Sequence, residues 1–157
     1  MTIRSRWLAG LVTVLVACAP DRSADAFVPV SDVQQLMLHV LEPAAEHYWD
    51  AVGWVIDLDG TTEIVPSSHE EWEAVVNAAY VVAESGNLLM MDPRRLDDGA
   101  WLSMSQALVE VGRDAIAAAE AEDRDAVFDA GAEVYYACTA CHSAYALETL
   151  RPNVVTE

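Results

Sequence analysis

Lysine is absent from the 157 residues: the eight basic residues are all arginine, set against 26 aspartates and glutamates. A formal charge of −18 repels a phosphate backbone, so nucleic acid is not an expected partner. The acidity fits either steering toward a basic partner or plain solubility and adaptation to salt. The apolar run Trp7 to Ala17 is too short to span a bilayer. No internal repeat, low-complexity tract or nucleophile and proton-transfer constellation is present, so the chain is not expected to be an enzyme. Cysteine occurs only three times, once near the N-terminus and twice within one short motif.

The N-terminal segment has Arg4 and Arg6, then the apolar run, then small residues around Cys18. Residues 1–17 are read as a secretory signal peptide. Leu15-Val16-Ala17-Cys18 resembles a bacterial lipobox, in which the cysteine becomes the first mature residue and carries lipid. The competing reading, cleavage after Ala17-Cys18-Ala19, leaves Pro20 at the new N-terminus. Lipidation at Cys18 predicts a periplasmic protein anchored to a membrane, and Ala19 rather than Asp after the cysteine favours the outer membrane. Two of the eight basic residues leave with the signal, so six remain against 26 acidic ones, a charge of −20. Residues 18–30 are small, polar and proline-bearing, as in a tether, and residues 31–157 are long enough for one domain with a single core.

Hydrophobic spacing predicts an all-α domain of four helices with a small hairpin or ordered loop between the first two. The first helix opens at Ser31 with Gln34 in a capping-box arrangement and runs toward Asp50, with Pro43 expected to kink it. Asp59-Gly60 between β-prone runs marks the hairpin. The second helix starts near Ser67 or Ser68 and is expected to end by Gly86; the third covers about Ala100 to Glu122. Asp123 caps the fourth, which extends toward Leu150. Along it Val127, Gly131, Val134, Cys138, Cys141 and Tyr145 alternate by four and three, the seam of a bundle helix.

Cys138-Thr139-Ala140-Cys141-His142 is C-x-x-C-H, the attachment sequence for c-type haem. At about 100° per residue the three functional side chains leave the helix within an arc of about 100°. Two thiols one turn apart can add to the two vinyl groups of one porphyrin edge, and the imidazole between them can reach the iron. A disulfide or a thioredoxin-like pair would leave His142 unexplained, and no βαβ pattern surrounds the motif. A zinc site would need a fourth ligand.

One such motif near the C-terminal end of a chain with four predicted helices resembles the class II cytochromes c, the cytochrome c′ family. The specific match is Cys138 to Tyr145, with the aromatic Tyr145 three residues after His142; Ala146 stands where that family commonly has Arg or Lys. The resemblance implies an antiparallel four-helix bundle with one covalent haem c, and a homodimer joined through the first two helices. Tyr145 is then expected to pack on the proximal side of the haem. It also implies either a six-coordinate electron carrier with a ligand from the first helix, or a five-coordinate protein that binds nitric oxide or carbon monoxide.

Met37 lies at the centre of the first helix's apolar stripe, with Val33, Val40, Leu41, Ala44 and Tyr48. Its thioether can be a sixth iron ligand or simply fill core volume. His39 falls on the polar face, His47 at the edge of the apolar arc and His69 in an exposed first turn. Met90, Met91 and Met104 read as core, and Trp49, Trp54, Trp72 and Trp101 as apolar anchors whose N–H groups need partners. The leading expectation is a mono-haem one-electron carrier, with His142 permanently bound and a redox protein, basic at its docking surface, as partner.

Overall fold

A computed structural model describes residues 27–146. The signal peptide, Cys18 and most of the tether, and the last residues of the expected domain, 147–157, lie outside the described residues. The described chain is mostly helical, with four helices and one two-stranded sheet.

The first helix, α1 (residues 33–50), is α-helical over Val33–Leu36, π-helical over Met37–Leu41 and α-helical again over Glu42–Asp50. Its cap is Asp32, one residue later than expected. The Asp32 carboxylate accepts the Gln35 N–H at 2.8 Å, and the Gln35 amide oxygen accepts the Asp32 N–H at 3.2 Å. An acidic cap also complements the positive end of the helix dipole, which a serine cannot do. Pro43 does not break α1. It sits at the start of the second α-helical part, just after the π turn, where the Glu42 N–H reaches back five residues to the Met37 carbonyl. A proline ring would strike the carbonyl four residues back in a regular α-helix, and the wider turn opens in that region. The most buried residues, Leu36, Leu41, Ala45, Tyr48 and Val52, therefore step by five, four, three and four. Val33, Met37, Val40 and Ala44 lie half-buried along the margin of this stripe.

Strands β1 (Gly53–Asp57) and β2 (Gly60–Ile64) pair antiparallel, with Asp57 opposite Gly60. The two-residue turn is Leu58-Asp59, and the Asp57 carboxylate accepts the Asp59 and Gly60 N–H groups. Helix α2 (His69–Met90) is capped by Ser68, whose hydroxyl accepts the Glu71 N–H. The helix does not stop at Gly86. A Cβ there would lie 2.7 Å from the Ser105 carbonyl oxygen and 2.7 Å from Val109 Cγ2, so this glycine serves close helix contact rather than termination. Helix α3 (Ala100–Glu120) presses against α2 with Gly112, and α4 (Arg124–Tyr145) is capped by Asp123 as expected. Two side chains, the buried Tyr48 and the half-buried Trp49, tie α1 across the core. The Tyr48 hydroxyl donates to the Ala115 carbonyl on α3, and the Trp49 indole donates to the Gly131 carbonyl on α4.

Candidate functional site

Cys138, Cys141 and His142 sit in the last two turns of α4, which Asp123 starts and the apolar seam Val127, Ala130, Gly131 and Val134 holds against its neighbours. Past that seam the helices leave a cavity of about 480 Å³, within the range of roughly 300–1,000 Å³ common for cofactor sites. Its walls are Met37, Leu41, Ala45 and Trp49 from α1, Leu89 from α2, Met104, Ser105 and Leu108 from α3, and the motif from α4. All three chemical residues of the motif line it, and so does Met37.

Both thiols are free and half-buried. Burial pushes the Cys138 thiol up, with the neighbouring Cys141 adding to the effect, and burial raises Cys141 as well. Each is thus held as a neutral thiol. A reactive dithiol works in the opposite sense, with a thiolate stabilised at a helix N-terminus or beside a cation. These cysteines instead lie toward the C-terminal, negative end of a 22-residue helix.

Tyr145 does not line the cavity. Its hydroxyl donates to the Asp97 carboxylate, and its ring meets Trp101 edge-on, with centroids 5.0 Å apart and planes at 86°. The phenol hydrogen bond is the main reason that the Asp97 carboxyl is held below its ordinary range; the same bond pushes the Tyr145 phenol up. Asp97 also accepts the Gly99 and Trp101 N–H groups at the start of α3. The Trp101 indole in turn donates to the Leu89 carbonyl on α2. The end of the motif-bearing helix is therefore moored to α3, and through it to α2.

His39 and His47 are exposed and lie outside the cavity wall; His47 borders a separate depression with Ile64 and Pro66. His69 accompanies Glu122 and Glu73 on the surface. Met90 and Met91 are half-buried away from the cavity, whereas Met104 lines it. Sequence reasoning placed Met104 in the core, although its spacing of four from Leu108 was the available signal for a shared wall. The Glu42 side chain, at the end of the π turn, is a second lining residue that the linear pattern did not single out.

Among the described residues, no three or more His, Cys, Asp or Glu side chains gather to hold a bare metal ion. A porphyrin brings four nitrogens of its own, so the protein has to provide only axial ligands, covalent attachment and an apolar pocket. The lining of this cavity is of that kind. Compared with known protein families, curated proteins and solved structures, the chain matches none.

Proposed function

We propose that the chain is a mono-haem c-type cytochrome of the cytochrome c′ type, an antiparallel four-helix bundle that carries single electrons in the periplasm from a lipid anchor at Cys18. The observation that carries this reading is that Cys138, Cys141 and His142 line the same apolar cavity as Met37, with the motif on α4 and the methionine on α1. Bound there, haem c supplies a one-electron couple. Cys138 and Cys141, half-buried neutral thiols, would form the two thioether links, and His142 would offer its imidazole to the iron. Met37 would offer a soft thioether to the iron, which would stabilise the reduced state and raise the potential. Leu41, Ala45 and Leu108 keep water from the site and lower its dielectric. Trp49 ties α1 to α4 beside it, and the bond of Tyr145 to Asp97 fixes the end of α4 against the start of α3.

Mass spectrometry and absorption spectra of the mature protein, made in a host able to attach haem, test the reading. Expected are the added mass of one haem and a low-spin spectrum in both oxidation states. Replacing Met37 with Ala should give a high-spin ferric spectrum and a lower potential, while Met104→Ala should leave the spin state unchanged. A wild-type high-spin spectrum that shifts with nitric oxide or carbon monoxide would replace the carrier by the gas-binding form, and a polypeptide without added mass would end the proposal.

A further inference from the structure

Helix α4 presents aromatic side chains to solvent just before the motif: Phe128 is 49 %, Tyr135 57 % and Tyr136 63 % exposed. Trp54 of the hairpin, 48 % exposed, packs edge-on against Phe128 with centroids 5.5 Å apart. Large aromatics gathered this way on a surface mark an interaction site more often than scattered single ones do. The patch also adjoins the candidate site. Trp49 and Tyr135 each line both the main cavity and a shallower groove of about 300 Å³ that reaches Phe128 and Tyr136. Their rings are in edge contact at 6.1 Å, and Tyr135 meets Tyr136 at 6.2 Å.

The rim chooses the partner. Asp125, Asp129 and Glu133 are exposed on α4 beside the aromatic residues. The nearby Arg124 stacks over Trp54 at 4.6 Å and is already paired with Glu63 at 2.9 Å and with Asp125. An apolar centre with an acidic rim fits a surface of the reverse charge. A second copy, carrying the same formal charge of −18, meets like charge at this rim.

Resting on the electron-carrier reading above, we propose that the aromatic face of α4 around Phe128 and Tyr136 is where a basic protein bearing a one-electron acceptor docks. One electron crosses per encounter; this chain's centre is oxidised by one unit and the partner's acceptor reduced by one, with no bond or proton exchanged. The aromatic side chains stay closed-shell throughout and only shorten the gap between donor and surface. The contact is of the small, transient kind, below about 1,200 Å² in total.

The test uses the full-length reduced holoprotein, with an oxidised small basic class I cytochrome c as the probe in stopped-flow mixing. The Phe128→Ser/Tyr136→Ser double variant should keep the wild-type spectrum and potential, yet transfer electrons about tenfold more slowly, as loss of central aromatic anchors does. Asp125→Asn/Asp129→Asn should flatten the fall of the rate with added salt, and Glu73→Gln on α2 should not. Amide shifts of the wild-type protein on adding a redox-inactive basic homologue of the probe should cluster at residues 124–136. A wild-type rate in the serine variant, or shifts clustered elsewhere, overturns the proposal; so does a wild-type dimer in ultracentrifugation that the serine pair abolishes, which gives the face to a second copy. Absence of haem in the purified protein fails the carrier reading instead, and is seen before any mixing.

Discussion

At Gly112 a single hydrogen decides how near two helices come. A Cβ at this position would lie 2.7 Å from both Ala83 Cα and Ala83 Cβ, atoms that cannot swing aside. Gly112→Ala should therefore lower the unfolding free energy by about 1–3 kcal/mol, the cost of overpacking a filled core, read as a shift of the urea midpoint at constant slope. The residues of the motif are the contrary case, because type and spacing alone single them out. No spacing announces that Tyr145 will bond Asp97, 48 positions away in the chain. That contact arises from where two helix ends meet.

Among the elements, the helix starts at Ser68 and Asp123 were readable because a cap is a local bargain between one side chain and N–H groups two or three residues on. The end of α2 was not, because Gly86 looks the same to a linear reading whether it terminates a helix or lies under a neighbour. Past that end, Arg94 is 6 % exposed, and its Nε donates to the Leu88 carbonyl while one terminal nitrogen donates to Ser31, just before α1. It satisfies a carbonyl in the last turn of α2 and clamps the start of α1 to it. Arg94→Ala should cost about 2–3 kcal/mol, in the range for hydrogen bonds to a buried charge, measurable by chemical denaturation. At the other end of α2, His69 contacts Glu122 of the α3–α4 turn, at 3.0 Å. That hydrogen bond, helped by the charge of Glu73, raises the imidazole above its ordinary 6.5. The sign follows: whatever the contact contributes is complete below pH 6.5 and is lost as pH rises through the higher folded value. An NMR titration should place the His69 midpoint above 6.5 in the wild type and move it back toward 6.5 in Glu122→Gln.

For the molecule as a whole, charge is the strongest departure from the ordinary. With 26 acidic residues against eight arginines, the compact state repels itself, and little of that is offset by the few exposed ion pairs. Screening should relieve it: raising sodium chloride from about 0.02 M to about 0.5 M, across which the Debye length falls from roughly 20 Å to about 4 Å, should raise the melting temperature by several degrees. A flat or falling melting temperature by circular dichroism would show that the charges are spaced widely enough not to matter. Arg124, four residues before Phe128, is itself paired with Glu63 and Asp125.

What the amino-acid order determined by itself was local: four helical periodicities, a hairpin or ordered loop around Asp59-Gly60, two of the caps and the C-x-x-C-H spacing. These depend on contacts within a turn or two, where backbone geometry is the same in every protein. Tertiary structure decided what lies opposite what. It ran α2 on past Gly86 and brought Met37, Met104 and the motif to one cavity while leaving Tyr145 to moor the helix end. Such outcomes follow from close packing of whole surfaces, a property that no single stretch of chain contains.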